Sequence, residues 1–214
     1  SIDQVFFFYN FRSDISVCSP EDYQLWYKLY LERSTAKHFD VLARANDYDK
    51  KIAEGKRIDK IFIYQGDELV GGKIVTVSKD QIVRSAFKSS IPFKFAESGN
   101  ASLGLLLDYL FLSHYSKLKM KQITGGRSRN LFGIINTIGY LCFKLRMGYT
   151  PVIQEDKNNF SQSRDIPTNT PFFSFLTPSV GNFQKLELFH RDYASSEIND
   201  LQELKTLYPY QLLQ

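Results

Sequence analysis

The sequence predicts a mixed α/β fold in which a mostly antiparallel central sheet is flanked by helices. Three short segments rich in β-forming residues follow one another, at Lys60–Tyr64, Leu69–Val77 and Gln81–Phe87, with only a few turn-forming residues between them. Such spacing is typical of antiparallel strands joined by hairpins. Two long segments with apolar residues at helical spacing come later, from Ala101 to about Lys119 and from Leu131 to about Met147. Strands followed by helices and further strands favour the α+β class.

Length and composition favour one globular domain with a small extension. The chain has 214 residues, and its apolar content of 43% is ample for a hydrophobic core. The formal net charge is only +4, and basic residues are scattered among acidic ones, so the charge does not indicate nucleic acid binding. We expect a single domain over residues 1-178 and a strand-and-helix extension over residues 179-214 packed on it.

The sequence indicates a cytoplasmic protein without a metal cofactor or a membrane span. No apolar run reaches the roughly 18 residues that cross a bilayer, and Val5–Phe11 is too short for the core of a signal peptide. The two cysteines, Cys18 and Cys142, have neither disulfide nor metal spacing. Cys142 lies on an apolar helix face, where we expect a buried thiol.

The N-terminal part predicts one strand and two helices before the three-strand meander. Val5–Phe11 is rich in aromatic, β-forming residues. The run Ser19-Pro20-Glu21-Asp22 combines a capping residue, a proline at the first helical position and acidic residues of a first turn, so a helix begins there. It ends around Ser34–His38, with Phe39–Ala45 as a candidate continuation, and Tyr48–Glu54 is a second helix closed by a glycine.

Glycines mark two places in the middle of the chain. The pair Gly71-Gly72 in the second strand of the meander predicts a bulge or the close approach of a neighbouring segment. Further on, Ser89–Glu97 continues as extended chain into a glycine loop, Glu97–Ala101, which opens onto the first long helix. The start of a helix offers unpaired backbone N–H groups and the positive end of the helix dipole, so this loop is a candidate phosphate-binding site.

A second candidate binding surface follows the first long helix. A short strand, Lys121–Gly125, and a polar turn, Gly126–Asn130, lead into the second long helix, which ends at Gly148. Arg127 and Arg129 in that turn suit a phosphate or a carboxylate of an acceptor, and a solvated basic turn is the equal alternative.

The C-terminal part predicts three strands, a long loop and a helix. The strands are Thr150–Gln154, Pro171–Leu176 and Phe183–Phe189, and the polar stretch Glu155–Thr170 is a loop. The helix at Ile198–Leu207 carries apolar residues that could pack on another subunit, so a homodimer is one partner hypothesis.

In this order of elements the chain resembles the GNAT superfamily of N-acyltransferases, over roughly Val5 to Leu176. In that family a Gln/Arg-x-x-Gly-x-Gly/Ala loop before a helix holds the pyrophosphate of acetyl-CoA. The corresponding run here is Ala96-Glu-Ser-Gly99-Asn-Ala101, in which the Gly-x-Ala half is present and Ala96 replaces the leading Gln or Arg. The resemblance implies acetyl-CoA or another acyl-CoA as co-substrate, bound by Ser98, Gly99, Asn100, Ala101, Ser102 and Leu103.

The second long helix is also similar to the Fem-like branch of this fold. Many GNAT members have a tyrosine four residues before a Gly-aromatic pair, and it protonates the leaving thiolate. Here Lys144 stands four residues before Gly148-Tyr149, and the run from Gly139 through Phe143-Lys144 to Gly148 looks Fem-like. Fem-like proteins often transfer aminoacyl groups onto amino sugars or peptides of envelope precursors.

Acyl transfer from a thioester to an amine requires a base, a donor of hydrogen bonds to the oxyanion and an acid. Glu97 is the best placed base, and Asp108 and His114 are further candidates. Glu97 also fits a solvated acid that favours the helix dipole, and His114 fits a core histidine. Tyr140 or Tyr149 is the candidate acid, with a packing role as the alternative for each.

Three functions remain open on the sequence alone. The first is an N-acyltransferase that moves an acyl group from acyl-CoA to an amine of a small molecule, an amino sugar or a peptide by direct attack. Arg127, Arg129 and Lys144 would then bind the acceptor. The second is a Fem-like aminoacyl transferase acting on envelope precursors, and the third is a non-catalytic binding module with the GNAT fold.

Overall fold

A computed structural model of the chain describes residues 2–36, 41–93, 95, 102–125, 138–150, 172–178, 184–190, 198–207 and 210–213. Its contacts divide the chain into two units, Ser1–Gly126 and Arg127–Gln214. The domain expected over residues 1-178, with an extension after it, stays a prediction.

The first unit combines helices with one sheet. In chain order its described elements are α1 (Ile2–Phe8), β1 (Phe11–Val17), α2 (Pro20–Ala36), α3 (Asp47–Ala53), β2 (Arg57–Gln65), β3 (Glu68–Val77), β4 (Ile82–Ser90), α4 (Leu103–Lys117) and β5 (Gln122–Thr124). The strands form a sheet in the order β1-β2-β3-β4-β5, in which the first four are antiparallel and β5 is parallel to β4. The predicted mixed, mostly antiparallel sheet flanked by helices is therefore confirmed.

Helices cover both faces of this sheet, and the two adjacent glycines of β3 allow it. Successive residues of a strand point to opposite faces. A Cβ atom on Gly72 would lie 2.6 Å from Cδ1 of Trp26 in α2, whereas one on Gly71 would lie 3.4 Å from Cδ1 of Leu107 in α4. The fully buried Trp26 also donates from Nε1 to the carbonyl oxygen of Gly72 at 3.1 Å. The predicted close approach is thus confirmed at Gly72, while α4 meets Gly71 at an ordinary contact distance.

The predicted start of α2 is confirmed by its capping hydrogen bonds. The Asp22 backbone N–H donates to Oγ of Ser19 at 3.1 Å, and the Ser19 N–H donates to Oδ2 of Asp22 at 3.0 Å. This reciprocal pair is a capping box in which aspartate replaces the usual glutamate. Nζ of Lys60 donates to the other oxygen of Asp22 at 2.7 Å, so the cap also ties the helix to β2.

The predicted strand at Val5–Phe11 is wrong. Residues Ile2–Phe8 form α1, Asn10 has a positive φ of 53°, and the strand begins only at Phe11. A continuous apolar run has no period that separates helix from strand, so pattern alone could not decide. Tertiary contacts favour the observed turn, because Tyr9 and Phe11 pack their rings against Phe93 and Phe95.

The predicted helical continuation over Phe39–Ala45 is wrong for its described part. Residues 41–44 have no regular structure. The hydroxyl of Tyr30 accepts hydrogen bonds from the N–H groups of Leu42 and Ala43, at 3.0 and 3.4 Å. A side chain of α2 therefore takes the donors that a helix would have used.

The second unit contains two described helices and a second sheet. Its elements are α5 (Ile138–Arg146), β6 (Phe172–Pro178), β7 (Gln184–His190), α6 (Ile198–Leu207) and β8 (Tyr210–Leu213). In the sheet, β6 and β7 are antiparallel, and β7 and β8 are parallel. The predicted strands and helix of this region are confirmed within two residues. The strand β8 was not predicted, and residues 151–154 of the expected strand at Thr150–Gln154 lie outside the described residues.

None of the helices in the described ranges combines the length and apolar character needed to cross a bilayer.

The Gly72→Ala variant tests the close approach between α2 and β3. We expect it to lower the free energy of unfolding by about 1–3 kcal/mol, because the new methyl group would overlap the buried ring of Trp26. Chemical denaturation followed by circular dichroism measures the change. The Gly71→Ala variant is the matched control, since its Cβ meets only ordinary contacts, and it should leave stability unchanged or raise it by up to about 1 kcal/mol. Equal losses in the two variants would contradict this packing.

Candidate functional site

The helix α4 begins two residues later than predicted, with Ser102 as its N-cap. The Oγ atom of Ser102 accepts from the Leu105 N–H at 3.2 Å, and its carbonyl oxygen accepts from Leu106 at 3.1 Å. The side chain of Leu103 is fully buried, so only its backbone N–H could face a ligand. The remaining residues predicted for this site, Glu97, Ser98, Gly99, Asn100 and Ala101, lie outside the described residues.

Two lysines and one aspartate connect the first turns of α4 to the sheet. Lys73 of β3 and Lys88 of β4 are register partners, and their ammonium groups each donate to one oxygen of Asp108. The side chain of Lys73 is 1% exposed and that of Asp108 is 8% exposed. We call these three residues the lysine–aspartate cluster. Burial raises the pKa of Asp108, and the charges of the two lysines outweigh that effect, so the pKa lies below its ordinary value.

This cluster brings a positive charge to the beginning of α4. Nζ of Lys88 lies 3.2 Å from the carbonyl oxygen of Gly104, and one third of its side chain is exposed. Asp108 accepts from a lysine at each oxygen and has a lowered pKa, so it is unsuited to the role of general base that the sequence suggested. We did not predict the cluster, although a lysine within an apolar strand signals a buried partner.

His114 lies at the other end of α4. It follows Leu103 by eleven residues, which corresponds to about 16 Å along the helix axis. It lines a depression of about 220 Å³ together with residues of β1 and with Arg57 and Asp59 of β2. His114 is therefore separated from the start of the helix, where the phosphate site was predicted.

A buried carboxylate organises the polar groups of this depression. Asp59 accepts from Nε and Nη2 of Arg57, both at 2.9 Å, and from the hydroxyl of Tyr115 at 2.7 Å. Burial and the hydrogen bond to Asp59 raise the pKa of Tyr115, and the bond to Asp59 raises the pKa of Arg57. Sequence reasoning missed Arg57 and Asp59. Their alternate positions in a strand, which place them on one face, were the available signal.

In the second unit, one residue predicted to bind the acceptor lies beside one predicted acid. Gly148 has a φ of +80° and ends the helix as predicted. Nζ of Lys144 lies 4.7 Å from the centre of the Tyr149 ring, which is a cation–π distance. Tyr140 belongs to α5, but the structure does not describe its side chain. Arg127 and Arg129 lie outside the described residues.

The two cysteines are buried, and neither belongs to a disulfide bond. Burial, reinforced by the charge of Asp22, raises the pKa of the Cys18 thiol to about 12, so this thiol is unreactive. Cys142 is 1% exposed, as its place on an apolar helix face predicted.

Comparison with known proteins finds no matching family model and no matching curated protein. Two solved structures match, both of an aminoglycoside acetyltransferase from an uncultured soil metagenomic sample, one in complex with sisomicin and one with trehalose. Each is 9% identical to this chain, with TM-scores of 0.44 and 0.42. The matches cover 77% and 72% of this chain and 100% and 97% of the matched chains. Similarity this low carries no argument about the function of this protein.

The Asp108→Asn variant tests the lysine–aspartate cluster. We expect a loss of about 3–5 kcal/mol in the free energy of unfolding, because the buried ammonium of Lys73 would lose its counter-charge. Chemical denaturation at neutral pH measures it. The Asp49→Asn variant removes an exposed carboxylate of α3 and should change stability by no more than about 0.5 kcal/mol. A loss as small as that of the control would contradict the assigned pairing.

The stability difference between wild type and the Asp108→Asn variant should depend on pH. The pKa of Asp108 is lowered in the folded state, so its contribution is fully present above its unfolded pKa of about 3.9 and is lost as the pH falls through the folded value. The stability difference between wild type and Asp108→Asn should stay constant from about pH 7 to 5 and shrink below about pH 4. Denaturation series across that range measure it, and a difference that grows on acidification would reverse the assigned direction.

Proposed function

We propose that the protein is an N-acyltransferase that moves an acyl group from acyl-CoA to an amine of a small molecule, an amino sugar or a peptide. The observation that carries the proposal is the open side of β4. Strand β5 pairs with only the first three residues of β4, so on that side the backbone of residues 85–90 has no partner strand among the described residues. An extended donor with amide groups, such as the pantetheine arm of CoA, could pair with this backbone as an added strand does.

The start of α4 is suited to bind the phosphates of the donor. Ser90, at the end of β4, and Leu103, at the start of α4, both lie next to Gly71, so the open side of β4 leads toward the helix start. There the first backbone N–H groups, the positive end of the helix dipole and the ammonium of Lys88 all favour an anion. The residues present therefore fit a CoA diphosphate, with the loop residues from Ser98 to Ala101 proposed as further contacts.

The proposed reaction divides its proton transfers between a base and an acid. The acceptor amine attacks the thioester carbonyl carbon and forms the new C–N bond, and we assign Glu97 as the base that takes the amine proton. Backbone N–H groups of the open stretch of β4 would stabilise the oxyanion. The C–S bond then breaks, and the thiolate takes a proton from Tyr140 or Tyr149. Arg127, Arg129 and Lys144 are assigned to the acceptor, whose class stays an amine.

Ligand-dependent melting tests the donor site. Acetyl-CoA at about 100 times its dissociation constant should stabilise the protein by about 2.7 kcal/mol and raise Tm by several degrees. The Lys88→Gln variant should show a smaller rise, because it loses a charged contact to the diphosphate. The Lys28→Gln variant, in which an exposed lysine of α2 is changed, is the matched control and should respond like wild type. No rise with acetyl-CoA, longer acyl-CoAs or free CoA would refute the proposed function.

Substitutions in the second unit test the acceptor assignment. The Arg127→Ala and Lys144→Ala variants should raise the KM for the amine roughly tenfold, which corresponds to one lost charge-assisted hydrogen bond, while the melting response to acetyl-CoA stays unchanged. The exposed Lys205→Ala variant in α6 serves as control. Loss of the response to acetyl-CoA, with the KM for the amine preserved, would show that these residues serve the donor.

A further inference from the structure

We infer that the depression between β1, β2 and α4 is a binding site for a small carboxylate ligand, separate from the proposed donor site. It has a volume of about 220 Å³ and is lined by Ile15, Ser16, Val17, Arg57, Asp59 and His114. Pockets for cofactors and drug-sized ligands span roughly 300–1,000 Å³. This depression therefore suits a molecule about the size of an amino acid, and the inference does not depend on acyl transfer.

Arg57 supplies the donors that a carboxylate requires. Its guanidinium group has five N–H donors in one plane, and Asp59 uses one from Nε and one from Nη2. The three other N–H groups lie on edges that Asp59 does not cover. Half of the Arg57 side chain is exposed, so these donors can reach a ligand in the depression. Two parallel N–H groups on one guanidinium edge match the two oxygens of a carboxylate.

Asp59 fixes the orientation of this arginine before any ligand binds. Its side chain is 8% exposed, and it holds three hydrogen bonds, two from Arg57 and one from Tyr115. Moving the guanidinium group would break bonds to a buried carboxylate, which is unfavourable. A ligand thus meets a preoriented donor and loses less conformational entropy on binding.

His114 of α4 lines the same depression and provides a second contact. Its ring packs edge-on against Tyr115 with 4.9 Å between ring centres, and no hydrogen bond within the described part of the chain occupies its nitrogens. An imidazole N–H can donate to a carboxylate oxygen in either protonation state. Because Asp59 already balances the charge of Arg57, the site favours a ligand with one negative charge over a dianion such as sulfate.

A titration of the full chain with sodium acetate tests the site without any substitution. Backbone amide resonances of residues 15–17 and 114–115 should shift and saturate, with a dissociation constant on the order of 1–10 mM. Sodium chloride at equal ionic strength should not produce these shifts. Shifts that never saturate, that chloride reproduces, or that sulfate produces with higher affinity than acetate would overturn the assignment.

Substitutions of His114 and Arg57 test the proposed contacts to the ligand. The His114→Ala and Arg57→Lys variants should each weaken acetate binding about fivefold or more, because each loses a hydrogen bond to the ligand. Lysine at position 57 keeps a positive charge beside the buried Asp59. The Arg44→Gln variant removes an exposed arginine elsewhere and should bind acetate like wild type. Unchanged binding in both site variants would overturn the proposal.

Discussion

The first unit depends on Gly71 and Gly72, two adjacent residues in the middle of β3 that carry no side chain. Gly72 admits the ring of Trp26 from one face, and Gly71 admits Leu103 and Leu107 from the other. Helices on both faces can therefore approach the same point of the sheet. A methyl group at Gly72 would overlap the buried ring of Trp26 and push α2 away from the strands, whereas α4 meets Gly71 at ordinary contact distance.

Charged and polar residues then fix the position of α4 on the sheet. Apolar side chains of α4 pack on the sheet, and the lysine–aspartate cluster requires Asp108 to stand opposite the register pair Lys73 and Lys88. Asp59 holds Tyr115 near the far end of the same helix. Two polar anchors about two turns apart thus set the position of α4, and with it the location of both candidate sites.

Features encoded in neighbouring residues could be predicted from the sequence, and features made by distant residues could not. The start of α2 was predictable because its cap and its first turn are consecutive. The helix α1 was not, since the aromatic partners of Tyr9 and Phe11 are Phe93 and Phe95, far along the chain. The sequence suggests a base at Asp108 because the lysine partners of this residue, on β3 and β4, are distant along the chain.

The chain contains one tryptophan, and it is the fully buried Trp26. Its emission therefore reports the state of a single interface, that between α2 and the first sheet. Loss of that interface would expose the indole to water and shift its fluorescence to longer wavelength, whatever happens in the second unit. Comparing that signal with far-ultraviolet circular dichroism, which averages over all backbone, can establish whether the two units unfold together or in sequence.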